Sequence, residues 1–176
     1  LFRYGDRQED ICAVEDIFIP GAHNLENALA AVALAMVMGI EPEVIAHTLK
    51  TFKGVEHRIE FVKTVNGVSF INDSKGTNPD ATIKAIEAMK APTVLILGGY
   101  DKKSEFDDLF RAFTKDIKHI VILGETKEKI KAAAEKAGFQ NYVLAQTFKD
   151  AVLKAYELAP KGGNVLLSPA CASWDM

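Results

Sequence analysis

The chain has 176 residues, enough for one full domain and part of another; opening on Leu1 and stopping at Met176, it is expected to be a piece of a longer protein, cut at both ends. A hydrophobic content of 48% with 26% charged residues is that of an ordinary water-soluble globular protein, and a net charge of -3 gives no basic footprint for nucleic acid. The longest apolar stretch, Ala28 to Gly39, is too short and alanine-rich to span a bilayer, and no signal peptide is visible, although a cut N-terminus would hide one.

Residues 1–22 read as the end of a sheet, with Ile11–Val14 and Ile17–Ile19 as short strands before Pro20-Gly21. A helix is expected over 24–38, where Leu25, Leu29, Val32 and Met36 recur at spacings of three and four. Gly39 stops it, a short helix runs from Pro42 to Leu49, and Thr51–Arg58 has no strong period and reads as a linker. From residue 59 strands and helices alternate. Two runs, 61–65 and 68–71, flank Asn66-Gly67, the two-residue signal of a type I′ hairpin. Asn78 then reads as the N-cap of a helix with Pro79 at its first position.

A short apolar run at 93–97 is a strand buried on both faces, followed by a helix opened by the capping box Ser104 and Asp107. The cycle repeats with a strand at 119–123, a helix from about 126 to 137, a strand at 142–144, a helix opened by Thr147 and Asp150, and a strand at 164–167. This pattern predicts an α/β fold: a doubly wound, mostly parallel sheet with an N-terminal β-hairpin. The ligand crevice of such a sheet lies outside the carboxyl ends of its strands.

Three polar loops fall at such ends. Asn72-Asp73-Ser74-Lys75-Gly76-Thr77-Asn78 either simply caps the Pro79 helix or offers an ammonium, a carboxylate and a hydroxyl to an anionic ligand. In Gly98–Ser104 the glycines permit a tight turn, and Lys102 either stays solvated or reaches a carboxylate or phosphate. Ser168–Asp175 closes the chain, with Ser173 as a helix N-cap or an anion-binding hydroxyl. Near the N-terminus, Asn24 opens a helix, and Asn27 carries the paired donor and acceptor that adenine recognition needs. Arg58, by default exposed, is a candidate contact for a nucleotide between domains. Neither GxGxxG nor GxxxxGK[ST] occurs. Cys12 and Cys171 have no metal-ligand spacing and read as free thiols of the cytoplasm, with no metal site in this chain.

In combination and order, Gly-Ala-His-Asn-Leu-Glu-Asn at 21–27, His57-Arg58, the 72–78 loop, Leu97-Gly98-Gly99 and Leu167–Ser173 resemble the Mur ligases, the amino-acid-adding enzymes of bacterial peptidoglycan synthesis. The Asp-Ser-Lys-x-Thr-Asn loop and the Ser-Pro-Ala-x-Ala-Ser segment are similar to the branch that adds D-glutamate. Sister ligases and folylpolyglutamate synthases typically carry Asp-Tyr-x-His or Asp-Gly-Ala-His-Asn at the first loop. Tyr100-Asp101 departs from the Asp-Gly of some relatives, which leaves the shape of that loop open.

The resemblance implies that residues 1–56 are the tail of a central ATP-binding domain, with helices and strands, and that 57–176 are most of a Rossmann-like glutamate-binding domain. It implies ATP and Mg²⁺ as cofactors, with the phosphate-binding loop and metal ligands upstream of Leu1. Small-molecule substrates, UDP-MurNAc-L-Ala and D-glutamate, are implied, and the whole protein is expected to be a monomer binding neither membrane nor nucleic acid. Asn24, Asn27, Arg58 and Asp73 would contact the nucleotide, and Lys75 would support the reaction centre. Thr77 and Lys102 would hold the side-chain carboxylate of glutamate, and Ser173 its α-carboxylate. An aromatic contact of the family would lie beyond Met176. The fragment alone is expected to be inactive. A folylpolyglutamate-synthase-like ligase, a non-catalytic nucleotide-binding module and an interaction domain are the alternatives.

Overall fold

The alternation of short apolar strands with amphipathic helices after residue 59 is resolved by a computed structural model that describes residues 2–4, 7–19 and 21–172. The chain divides into two units, Leu1–Val55 and Glu56–Met176.

In the first unit, strands β1 (Phe2–Tyr4) and β2 (Arg7–Glu9) pair antiparallel, and helices α1 (Ala22–Val37) and α2 (Pro42–Thr51) follow. The strands expected at Ile11–Val14 and Ile17–Ile19 do not form. Val14–Asp16 make a 3₁₀ turn closed by the N–H groups of Asp16 and Ile17 on the carbonyls of Ala13 and Val14 (3.2 Å each). Adjacent acids interrupt the apolar run there, and Asp16 pairs with Lys50 at 2.8 Å. On α1 the buried line is Asn24, Ala28, Val32 and Met36, at a strict spacing of four, whereas Leu29 of the expected stripe is 54% exposed. Val32 and Met36 pack on Ile45 of α2, with Ile11 and Leu49 at the rim.

The second unit opens with the hairpin β3 (Glu60–Val65) and β4 (Val68–Asn72). Asn66 at φ 50 and Gly67 at φ 83 supply the two left-handed residues that a type I′ turn requires. Then come α3 (Pro79–Ala88), β5 (Thr93–Gly98), α4 (Asp107–Arg111), β6 (Ile117–Leu123), α5 (Lys127–Lys136), β7 (Tyr142–Leu144), α6 (Phe148–Leu158) and β8 (Asn164–Leu167).

Of the three caps expected for α3, α4 and α6, two form. The Asn78 side chain accepts from the Ala81 N–H at 2.8 Å, and that of Thr147 from the Asp150 N–H at 3.1 Å. The Ser104–Asp107 box does not: α4 starts at Asp107 without a side-chain cap, and Asp107 pairs with Lys136 at 2.7 Å. Phe106, 1% exposed, is drawn into the core just ahead of the helix. Burying a phenyl ring contributes about 1.5–3 kcal/mol, more than a cap of about 1 kcal/mol.

The six strands lie in the order β3-β4-β8-β5-β6-β7, parallel except for the β3 edge. Their side chains alternate between two cores. Leu95, Leu97, Ile120, Ile122 and Leu166 face α3, α4 and α5, while Val94, Ile96, Val121, Leu123 and Val165 face α6. Right-handed crossovers explain the segregation. From β4 through β7 the chain steps in one direction across the sheet, with its helices on one face; the return from β7 to β8 runs backwards and puts α6 on the other. That return inserts β8 between β4 and β5, so the carboxyl ends of all three lie side by side.

Candidate functional site

The loop after β4 grows out of the sheet ladder. The N–H of Asp73 donates to the Leu167 carbonyl at 2.7 Å, which continues the pairing of β4 with β8 and draws the carboxylate inward. Asp73 is 4% exposed. One of its oxygens, Oδ2, accepts the Ser168 hydroxyl at 2.6 Å, and the other accepts the Ile59 N–H at 3.2 Å. Its carbonyl accepts the Gly76 N–H at 2.8 Å, and the Lys75 carbonyl accepts the Thr77 N–H at 2.9 Å. The resulting tight turn presents Lys75 to solvent and leaves Thr77 half-buried. Gly76 sits so close to this pair that a Cβ there would stand 2.5 Å from both Asp73 Oδ2 and Ser168 Oγ.

The other two loops are knitted to it and to each other. Ala170 donates its N–H to the Gly76 carbonyl at 2.8 Å, Gly98 to Pro169 at 2.9 Å, and Tyr100 to Ala172 at 2.8 Å. Thr126, 2% exposed, ties in the loop after β6: its hydroxyl is 3.1 Å from the Gly99 N–H and its own N–H donates to the Gly99 carbonyl at 3.1 Å. Gly98 adopts φ 115, and a Cβ there would run into the Leu123 carbonyl. The glycines are therefore required by backbone approach. Beyond them, Asp101 settles the loop shape. Its carboxylate accepts the Lys103 N–H at 2.7 Å, an Asx turn with Lys103 at φ 63, and lies 3.8 Å from Lys129 Nζ. Lys102, on this turn, is exposed.

Arg58, also exposed, is flanked by two residues of positive φ, His57 at 67 and Ile59 at 47. A β-branched residue in that region is uncommon and needs surrounding contacts to hold it. Those contacts come from β3, from the end of β4 and from the loop after it. The His57 carbonyl accepts the Lys75 N–H at 3.0 Å, Asn72 Nδ2 lies 3.0 Å from His57 Nδ1, and Glu60 Oε2 accepts the His57 N–H at 2.8 Å.

Of the expected site residues, the second unit thus brings Arg58, Asp73, Lys75 and Thr77 onto stitched segments, with Lys102 on an adjoining loop. Asn24 (9% exposed) and Asn27 (exposed) lie on the first turns of α1 in the other unit, and Ser173 lies outside the described residues. Sequence reasoning passed over Thr82 and Thr126, whose buried hydroxyls join loops distant in sequence. Among the described residues no three His, Cys, Asp or Glu side chains converge in a way that would hold a metal ion.

A doubly wound sheet with its polar loops gathered at the carboxyl ends of adjacent strands defines an α/β ligand-binding domain. The family model described as "Mur ligase, glutamate ligase domain" matches residues 57–171, and the chain belongs to the Mur ligase family. It is 59% identical over 170 residues to the UDP-N-acetylmuramoylalanine--D-glutamate ligase of Thermoanaerobacter sp. (strain X514), a match that covers 96% of this chain and 37% of that protein. The chain therefore spans little more than a third of that relative's length. Among solved structures, MurF from Acinetobacter baumannii is similar with a TM-score of 0.64 and 26% identity, over 87% of this chain and 35% of its own. The folylpolyglutamate synthase of Mycobacterium tuberculosis complexed with ADP shares the fold, with a TM-score of 0.70 and 15% identity over 86% of this chain and 38% of its own.

Proposed function

We propose that this chain is the C-terminal part of an ATP-dependent ligase that adds D-glutamate to UDP-N-acetylmuramoyl-L-alanine, a cytoplasmic step of peptidoglycan synthesis. The observation that carries the reading is the stitched cluster of Arg58, Lys75 and Thr77 beside the Lys102 turn, in a chain 59% identical to a relative bearing that name. The folate-ligase alternative shares the fold, and the Asp73-Ser74-Lys75 loop favours the muramyl ligase in this reading.

In this reading residues 1–56 belong to the central ATP-binding domain and 57–176 form the glutamate-binding domain. The terminal carboxylate of the UDP-sugar substrate attacks the γ-phosphorus of ATP, and ADP leaves. The D-glutamate amine then attacks the acyl carbon of that acyl phosphate, and the tetrahedral intermediate expels phosphate. Both steps crowd anions together, so fixed cations lower the barrier. Lys75 offsets the charge at the reacting centre. Thr77 and Lys102 hold the side-chain carboxylate of D-glutamate and Ser173 its α-carboxylate, which aims the amine. Asn24 and Asn27 serve the adenine. Arg58 serves the ribose and phosphates, aided by Asp73, whose carboxylate holds the Ile59 N–H beside it. Mg²⁺ would neutralise phosphate charge, and its ligands are expected on residues outside this chain. The whole enzyme acts as a monomer on small molecules, independent of membrane and nucleic acid; among the described residues no helix is long and apolar enough to cross a membrane.

The test is kinetic, on the full-length ligase. Lys102→Ala and Thr77→Val should raise KM for D-glutamate with little change in KM for ATP, and Arg58→Ala the reverse. Equal effects of all three on both substrates would contradict the assignment.

A further inference from the structure

Ser168 is 0% exposed, and its hydroxyl lies 2.6 Å from Asp73 Oδ2 and 2.9 Å from Thr82 Oγ1. A serine hydroxyl has one proton, which points to the acceptor-only carboxylate at the shorter distance; the Thr82 hydroxyl, 2.9 Å from the serine oxygen, also lies 3.4 Å from the carbonyls of Gly76 and Ser168. Thr82 is itself 0% exposed, on the first turn of α3. Three polar groups from the β4 loop, the β8 end and α3 thus meet almost wholly shielded from water. A charge-assisted bond in such surroundings is about twice as strong as a neutral one.

The place of this bond matters more than its strength. The Gly76 backbone rests directly on it, so near that a Cβ would stand 2.5 Å from both partners. Gly76 is the residue between Lys75 and Thr77. The other oxygen of Asp73 holds the Ile59 N–H, next to Arg58, at 3.2 Å. A single carboxylate therefore underlies both the turn that presents Lys75 and Thr77 and the segment that presents Arg58.

We propose that Ser168 is a positioning residue for the glutamate-binding loop: by fixing the Asp73 carboxylate beneath Gly76, its hydroxyl sets the height and orientation of Lys75 and Thr77 and the register of the Arg58 segment. The inference rests on the proposed ligase reading for its substrate, but the latch itself does not. Ser168 touches no substrate. Removing its hydroxyl takes a 2.6 Å donor away from a buried carboxylate, which must rearrange to make up the loss. The Gly76 turn would shift with it.

The experiment pairs kinetics with amide hydrogen exchange on the full-length protein. Ser168→Ala should raise KM for D-glutamate about tenfold, the equivalent of one lost charged hydrogen bond, with a smaller change in KM for ATP, and should speed exchange at Ile59 and Gly76. Thr82→Val should give a weaker form of the same pattern, and Thr82→Ser, which keeps the hydroxyl, should restore wild-type values. The Thr82 pair carries the test should Ser168→Ala fail to fold. Unchanged KM for D-glutamate in a folded Ser168→Ala would overturn the proposal. If the wild-type protein shows no glutamate-dependent turnover, the ligase reading fails separately. Exchange at Ile59 and Gly76 then decides the latch: faster exchange in Ser168→Ala supports it, and unchanged exchange refutes it.

Discussion

The backbone N–H of Lys75 donates to the carbonyl of His57 at 3.0 Å, so the segment that carries Arg58 is stitched to the loop that carries Lys75. Arg58 and Lys75 stand nearly twenty positions apart in sequence, yet one hydrogen bond fixes the relation of their backbone segments. Positive φ at His57 and Ile59 is the conformational cost of that geometry, about 1–2 kcal/mol per residue, and the Asp73, Asn72 and Glu60 contacts offset it.

The hairpin turn depends on Asn66. It holds φ 50, and its side-chain amide donates to the Tyr156 hydroxyl at 2.8 Å. Asn66→Ala should lower unfolding stability by about 1–2 kcal/mol, because alanine tolerates that region poorly and makes no such bond. Asn66→Gly should cost less, since glycine keeps the turn and loses only the bond. Urea denaturation of the two variants gives the comparison.

Gly98 and Gly138 separate two reasons for a glycine. Both have positive φ, but a Cβ at Gly138 meets open space, whereas at Gly98 it collides with the Leu123 carbonyl. Gly138→Ala should cost about 1 kcal/mol. Gly98→Ala must displace backbone in the central strands and should cost more than about 3 kcal/mol, or prevent folding. Thermal melts of both proteins would show the ranking.

Asp150 should give a measurable acid response. Its carboxyl is held below the usual value of 3.8 by the Lys154 ammonium bonded to it at 2.8 Å, and next by the Gln146 N–H. A carboxyl with a lowered folded pKa contributes stability that is complete above its unfolded value and lost as pH falls through the folded one. Asp150→Asn should therefore reduce the loss of stability on acidification below about pH 4. Denaturation midpoints of the two proteins at pH 6 and pH 3 should converge at the acid end; a constant gap would contradict the assignment.

Much of this fold was legible because the sequence carries local signals that tertiary packing did not override. Asn66-Gly67 forced a hairpin, Asn78-Pro79 and Thr147 opened helices, and the strands at 142–144 and 164–167 formed where β-rich apolar runs stood between turns. The failures have physical causes. Ser104 lost its capping role because Phe106 gained more by burial, and 11–19 gave a 3₁₀ turn because Glu15 and Asp16 interrupt the apolar pattern. At the site, exposed Lys75 and Lys102 stood out by motif. Thr82 and Thr126 did not, since a threonine that bridges loops over eighty or twenty-seven residues looks like any other in one dimension. The insertion of β8 between β4 and β5 was equally hidden, because strand order is set by a crossover and not by any residue in the strand.

The phosphate-binding loop and the Mg²⁺ ligands are proposed to lie outside these 176 residues. This chain alone, given Mg-ATP, UDP-MurNAc-L-Ala and D-glutamate, should therefore release no ADP in a coupled assay. Turnover by the isolated chain would mean that it holds a phosphate-binding site that the proposed division of labour does not contain.

The central claim is tested most directly by following ADP release from the full-length ligase with UDP-MurNAc-L-Ala and Mg-ATP while the amino acid is changed. D-Glutamate, L-glutamate, L-lysine and meso-diaminopimelate would be offered in turn. The account predicts turnover with D-glutamate and none with the other three. Turnover with a different amino acid, or with none of the four, would contradict it.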